Sequence, residues 1–434
     1  MSKNVEKTER TIGGVDVDEI VASYGTPVYA YDTAMIEEKA KAFKEAFETA
    51  GVSYQVAYAS KAFSCIAMVE LADQLGLSLD VVSGGELYTA QLAGFPPEKI
   101  HFHGNNKSRQ EIVEALESNI GCFVVDNFHE LDMLSEESKR LGCVANVLFR
   151  VTPGVEAHTH AYISTGQEDS KFGFDLTGGQ ALEAVKKATH DANLHVLGFH
   201  CHIGSQIFET AGFKEAVQVL YKHIESWNDE FSFVPEVMNT GGGFGIRYTN
   251  EDDPIHPQAF VHAVVNEIQS ESERLQLPMP EIWIEPGRSL VGEAGTTLYT
   301  VGAEKHIKDV RHYISVDGGM SDNIRPALYD AKYEATLFHH RDTEEMRTYA
   351  IAGKACESGD MLIDRIQLKE AQPGDVLAVY STGAYGYSMA SNYNRLPKPP
   401  VVFIKDGKHQ LVVRRESYKD LTQYDLHLGK TKKT

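Results

Sequence analysis

The chain has 434 residues, 42% of them hydrophobic and 24% charged, with a formal net charge of −21. At about 150 residues per domain this allows two or three domains, and so ordinary a globular mixture excludes global disorder and an extended coiled coil. Acidic residues outnumber basic ones 62 to 41, so the chain should repel a polyphosphate backbone, and nucleic acid is not an expected partner.

The N-terminus, MSKNVEKTERTIGG, is polar and lacks the apolar core of a signal segment. No apolar run approaches the ~18 residues of a membrane span, so no membrane is expected either. Five cysteines, an odd number without a C-x-x-C pair, argue against a disulfide framework or a zinc knot. A reducing cytoplasm is the expected compartment. Near the N-terminus VYAYD forms an isolated β-run ahead of a helix over residues 33–50.

From Tyr54 onward one rhythm repeats. β-rich segments at 54–59, 79–83, 100–103, 122–126, 147–151, 196–202, 236–239 and 281–285 are separated by stretches of helical spacing at 66–75, 86–93, 108–116, 128–141, 179–190, 213–227 and 260–275. Strands alternating with helices pair in parallel, and eight such units in about 250 residues predict a (β/α)₈ TIM-type barrel over 33–289. A doubly wound open sheet is the alternative. After Arg288 the strand-like runs are separated by turns with little helix, which predicts a C-terminal antiparallel β domain, a sandwich or barrel over 290–434 that takes in residues 1–32. Within it Lys405-Asp406-Gly407-Lys408 has the Asp-Gly signature of a type I′ hairpin. The tail lysines Lys430, Lys432 and Lys433 read as a frayed end.

Barrel enzymes build their sites at the C-terminal ends of the strands. Polar and ionisable residues gather there. The first strand ends in Ala59-Ser60-Lys61-Ala62, the second offers Asp80, and the third offers His101 and His103. Arg150 lies on the fifth, and His200-Cys201-His202-Ile203-Gly204-Ser205 ends the sixth. The seventh runs into Gly241-Gly242-Gly243 and the eighth into Glu285-Pro286-Gly287-Arg288. Consecutive glycines after a strand expose backbone N–H groups to an anion, and barrels commonly hold phosphate near strands seven and eight. Lys61 could be a solvated surface charge. Beside a phosphate loop, a partly desolvated lysine can instead form a Schiff base with an aldehyde. A phosphate and an aldehyde together describe pyridoxal 5′-phosphate, whose ring nitrogen Glu285 could pair with. The H-x-H pairs His101/His103, His158/His160 and His200/His202 leave a metal reading open, but it idles Lys61 and Glu285, so no metal is expected.

Tyr58-Ala59-Ser60-Lys61-Ala62, Gly198 through Gln206, the triple glycine and Glu285-Pro286-Gly287-Arg288 together resemble the fold-type III pyridoxal-phosphate decarboxylases. Cys356-Glu357-Ser358-Gly359-Asp360 is similar to the branch of that family whose substrate is meso-2,6-diaminopimelate and whose product is L-lysine. His158-Thr159-His160, Ser170-Lys171-Phe172-Gly173, Asp317-Gly318-Gly319-Met320 and Arg325-Pro326-Ala327-Leu328-Tyr329 add to the likeness, which runs over about 28–394.

The resemblance implies that Lys61 carries the cofactor, that His202 stacks on its ring and that Glu285 pairs with its nitrogen. It gives Ser205, Gly241, Gly242, Gly243, Arg288 and Tyr385 to the phosphate and its surroundings. Arg288, Arg325, Tyr329 and Tyr385 are implied on the substrate, with Cys356 as proton donor and Glu357 on the distal ammonium. Cys356 and Glu357 would come from the other subunit of a homodimer. His101, His103, His158 and His160 are read as loop hydrogen-bonding residues, and Asp80 and Arg150 as positioning groups. Rival readings are a D-ornithine or D-lysine decarboxylase or racemase of the same fold, a non-catalytic pyridoxal-phosphate carrier, and a zinc hydrolase.

Overall fold

A computed structural model describes residues 10–155, 170–338 and 345–428. His158, His160, Lys430, Lys432 and Lys433 lie outside the described residues. The chain forms two compact units. One is Glu37–Arg247 with Glu251–Leu290; the other takes the residues up to Ile36, Tyr248–Asn250 and those from Val291 onward.

The first unit is a closed parallel barrel. Its strands are Tyr54–Ala59, Ser78–Val81, Ile100–Phe102, Cys122–Val125, Ala145–Thr152, Leu194–His200, Val237–Asn239 and Glu281–Ile284. Each pairs in parallel with the next, and the eighth closes on the first through Ile282 opposite Tyr54. Helices cover the outside, so a strand such as CFVV is buried along its whole length, as parallel sheets require. The helices start where polar caps meet apolar spacing. Ser83 accepts from the Glu86 N–H, Asn127 from the Glu130 N–H, and Ser108 with Glu111 forms a capping box. Helix Ala211–Phe231 buries Phe213, Ala216, Val217, Leu220 and Ile224, an i, i+3, i+4, i+7, i+11 stripe. Each large side chain of that stripe contributes about 1.5–3 kcal/mol by leaving water.

The second unit is a β sheet built around the 13-residue strand Gly295–Ile307. One half of that strand pairs with Val28–Asp32 and Val376–Val379, the other with Arg311–Val316, all antiparallel. The VYAYD run is therefore part of this sheet. The expected hairpin is present: Val401–Lys405 and Lys408–Val413 pair antiparallel across Asp406 and Gly407, whose φ angles are +50° and +72°.

The sheet is mixed, not purely antiparallel. Val28–Asp32 runs parallel to Val401–Lys405, and Arg311–Val316 parallel to Met346–Ala352. Strands Ala335–Phe338 and Met361–Lys369 were not expected; the second carries Asp364, Arg365 and Gln367, which interrupt its apolar pattern.

Candidate active site

Glu285 is the centre of the barrel mouth. It follows the eighth strand and is buried. Asn239, ending the seventh strand, donates from Nδ2 to Glu285 Oε1 at 2.7 Å. His103 Nε2 lies 2.9 Å from the same oxygen, and His200 Nε2 lies 2.9 Å from Oε2. Burial alone would push this carboxyl up, but the charges and hydrogen bonds of His103 and His200 outweigh it and hold it well below the usual carboxylate range. An ionised carboxylate therefore sits at the bottom of the mouth. Asp80 stands 3.7 Å from His103 on the far side. Burial, only partly offset by His103 and reinforced by Glu285, pushes Asp80 up to about 6.

His103 is thus not a loop residue of merely local use: it is one of three side chains that hold Glu285. Its partner in the H-x-H pair sits one layer lower. His101 stacks on Trp283 with centroids 4.2 Å apart, and its Nε2 lies 3.1 Å from Gln55 Oε1. Inward residues of barrel strands lie in such layers. The donor atoms of His103, His200 and Glu285 all fall within 4.8 Å of one another. The metal reading had grouped histidines within pairs; the barrel instead gathers one from each of two pairs and joins them to the carboxylate.

The sixth strand ends at His200, so His202 lies beyond it instead of sharing its face. The loop of the seventh strand takes over there. The Gly242 N–H donates to His202 Nδ1 at 3.2 Å, which leaves the ring proton on Nε2. Burial, with the charges of Lys61 and Arg150, holds His202 well below its ordinary value, so its ring is neutral. A flat neutral imidazole of fixed orientation can lie against an aromatic ring.

The triple glycine has a stronger reason than the expected one. A Cβ on Gly242 would lie 2.1 Å from the Glu285 carbonyl, and one on Gly243 2.2 Å from that of Gly204. The glycines are what let the loops after the sixth, seventh and eighth strands meet. Gly241 and Gly242 spend their N–H groups inside the protein, on Asn239 Oδ1 and His202. The Gly243 N–H makes no hydrogen bond among the described residues. Next to it Arg288 donates to Ser205 Oγ at 2.9 Å. A guanidinium, a hydroxyl and an uncommitted N–H in one place form an anion cradle.

Lys61 rises from a 3₁₀ turn, Ser60–Ala62, at the end of the first strand. The Ala59 N–H donates to the Pro286 carbonyl at 3.3 Å, and Gly287 packs closely on the same turn, where a Cβ would come within 3.0–3.2 Å of Ala59 and Ala62. The lysine loop and the Glu285–Arg288 loop are thereby joined. The charge of Lys61 acts on Asp80, Glu86 and His202. Partial desolvation of Lys61 was expected, whereas its side chain is exposed, because the turn carries it out of the strand's packed layers. Arg150 lies over the Phe172 ring at 4.2 Å and 4.0 Å from Asp126, half-buried. An amine, an ionised carboxylate and an anion cradle at one barrel mouth fit the aldehyde, ring nitrogen and phosphate of pyridoxal 5′-phosphate.

The remaining residues belong to the sheet unit. Arg325 is buried; it donates to the Tyr333 hydroxyl at 2.7 Å and lies over the Tyr248 ring at 4.9 Å. Neither tyrosine was anticipated, and no local spacing links Tyr248 to Arg325. Tyr329 is half-buried on the same short helix, Arg325–Tyr329. Tyr385 is half-buried with φ +59°, a left-handed conformation costly to a tyrosine and held between Gly383 and Gly386, which have no room for a Cβ. Cys356 and Glu357 are exposed on the loop between Met346–Ala352 and Met361–Lys369. No helix among the described residues is long and apolar enough to cross a membrane.

Residues 33–292 match the profile of the pyridoxal-dependent decarboxylase pyridoxal-binding domain. The chain is 60% identical to the diaminopimelate decarboxylase of Halalkalibacterium halodurans over 96% of its own length and 95% of that protein's. It is 59% identical to that of Bacillus subtilis over 96% and 94%. The crystal structure of the diaminopimelate decarboxylase of M. jannaschii in complex with L-lysine superposes with a TM-score of 0.89 at 37% identity, covering 95% of each chain. With this likeness from end to end, and a barrel mouth that fits the cofactor, the chain belongs to the diaminopimelate decarboxylase family of pyridoxal-dependent decarboxylases.

Proposed function

We propose that the chain is a carboxy-lyase that converts meso-2,6-diaminopimelate to L-lysine and carbon dioxide, the final step of lysine biosynthesis. The observation that carries this reading is the join between the first- and eighth-strand loops, which gathers Lys61, Glu285 and Arg288 at one mouth. Pyridoxal 5′-phosphate, when bound, supplies an aldehyde for an amine and a ring that accepts the electrons left when carbon dioxide departs.

Lys61 would hold the cofactor through its side-chain amine, the group a substrate amine would replace. Glu285, kept ionised by its imidazole partners, holds a proton on the ring nitrogen. His202 would lie against the ring face, and Ser205, Arg288, Tyr385 and the Gly241–Gly243 backbone would receive the phosphate and its surroundings. Arg325 with Tyr329, and Arg288, grip the carboxylate at the non-reacting end. Arg325 is suited to this because Tyr333 and Tyr248 fix its guanidinium plane before substrate arrives. Bidentate pairing with that carboxylate is lost outright with ornithine or lysine, whereas a methylene is worth only about 1–3 kcal/mol. Cys356 Sγ delivers the proton that replaces the lost carboxylate, and Glu357 binds the distal ammonium. The catalytic domain is assigned to 33–289, and the residues on either side of it to the β domain.

The direct test is incubation of purified protein with meso-2,6-diaminopimelate, following lysine and carbon dioxide together. Equimolar release is expected, and turnover of ornithine alone overturns the substrate assignment. Cys356 and Glu357 are assigned to the partner subunit's site in a homodimer. Mixing equal amounts of Lys61→Ala and Cys356→Ala subunits should then restore roughly a quarter of wild-type activity, since half the dimers are mixed and each has one intact site. No recovery, with exchange demonstrated, contradicts the shared site. The cytoplasm is the assigned compartment, supported by five cysteines that are all free thiols.

A further inference from the structure

The Cys356 loop is held from two sides. On one, the buried Asp360 carboxylate accepts the Ala355 N–H at 2.7 Å and the Met320 N–H at 2.6 Å. On the other, the Cys356 N–H donates to Asn394 Oδ1 at 2.7 Å. Among the described residues nothing hydrogen-bonds the Cys356 thiol, so within this chain it is the backbone carrying it that positions the thiol. Asn394 and Arg395 are consecutive left-handed residues, with φ +52° and +56°. Such a conformation costs about 1–2 kcal/mol per residue, and asparagine tolerates it better than most. The turn is kept in place from the C-terminal segment. Asn392 donates to Glu416 at 2.6 Å, the Lys398 N–H to the same carboxylate at 2.8 Å, and Arg395 to Asp425 at 2.8 Å.

We infer that Asn394 is a positioning residue for Cys356: its side-chain oxygen, presented by a strained turn tied to the C-terminal segment, fixes the cysteine backbone and so aims the thiol. This rests on the reading of Cys356 as proton donor. A general acid must come within about 2.6–3.2 Å of its target, and a misplacement of about 1 Å can cost on the order of 100-fold.

Three variants of the full-length holoenzyme separate the hydrogen bond from the backbone shape. Asn394→Asp keeps an acceptor and tolerates the left-handed turn; Asn394→Gly keeps only the turn; Glu416→Ala loosens the turn without altering Asn394. In Asn394→Gly, kcat should fall roughly 10- to 100-fold with KM within about threefold. Asn394→Asp should recover most of the turnover, and Glu416→Ala should follow Asn394→Gly in direction. Alkylation of Cys356 by iodoacetamide, followed by peptide mass spectrometry, should change rate in Asn394→Gly while that of Cys143 does not.

Wild-type kcat and alkylation in Asn394→Gly overturn the inference, as does Asn394→Asp being impaired as much as Asn394→Gly. If Asn394→Gly does not fold, wild-type values in Glu416→Ala overturn it. Full activity in Cys356→Ala refutes the proton-donor reading instead, and the alkylation rates still report on the anchor.

Discussion

Lys61→Ala is expected to lose turnover of meso-2,6-diaminopimelate by on the order of 10⁴-fold or more, because one side chain both holds the cofactor and exchanges with the substrate amine. The loss should come without unfolding. The turn that carries Lys61 is held by its neighbours: Ser60 Oγ donates to the Asp80 carbonyl at 2.7 Å, and the Ala59 N–H to Pro286. The lysine side chain itself is exposed, so its truncation should change stability by no more than about 0.5 kcal/mol. Removing its charge also removes one influence that holds Asp80 and Glu86 down, so both should rise further. Two measurements check this. Thermal unfolding should match that of wild type stripped of cofactor, since a bound cofactor would itself raise Tm. After borohydride reduction, the tryptic peptide bearing residue 61 should carry the cofactor in wild type and not in the variant. Turnover retained in Lys61→Ala would sink the assignment.

Lys61, Glu285 and Arg288 were legible in the sequence because each closes a recognisable strand, and a barrel turns strand ends into a mouth. The barrel itself was legible for a related reason: its parallel pairing joins neighbours in sequence, so the strand–helix rhythm is local. What held Glu285 was not legible. Asn239 and His200 end two other strands and His103 follows a third, and only the closed register brings them onto one carboxylate. Asn239 also ends a strand, and that position is the signal the sequence carries for it.

His200 and His202 differ by where the strand stops, a matter of two residues. That boundary decides which ring meets Glu285 and which takes the Gly242 N–H. The glycines were read for what they open to an anion, while their main service is close approach between loops, which depends on contacts distant in sequence. The second unit was the harder one to read. Its parallel pair of Val28–Asp32 and Val401–Lys405 spans the whole barrel in sequence, and turn signals report only on adjacent strands. The Tyr248–Arg325–Tyr333 group and the Asn394–Cys356 bond are likewise tertiary, with no periodicity to betray them.

Glu285→Gln should combine a functional loss with a loss of stability, and the two have one origin. The carboxylate accepts from Asn239 Nδ2 at Oε1, where His103 Nε2 stands 2.9 Å away, and meets His200 Nε2 at Oε2. A glutamine fits the space, yet either orientation of its amide turns an NH₂ toward an N–H. His200 cannot escape by moving its proton, because its Nδ1 is buried with no hydrogen-bond partner. An unsatisfied buried donor costs about 1–3 kcal/mol, and a broken buried ion pair up to about 3–5. For a unit of this size that lowers Tm by roughly 4–10 °C. Turnover should fall on the order of 100- to 1,000-fold, the usual worth of a preorganised charge facing the reacting system.

The pH dependence fixes the cause. A carboxyl held below its unfolded value, about 4.3, stabilises the fold fully above that pH and loses its contribution as pH falls through the folded value. The Tm gap between wild type and Glu285→Gln should therefore be constant from about pH 6 to 8 and narrow only below about pH 4. A gap that instead widens as pH falls through about 6 would point to Asp80, the carboxyl on the other side of His103 that burial and Glu285 push up to about 6, because its ionisation penalises the wild type more than the variant above that pH.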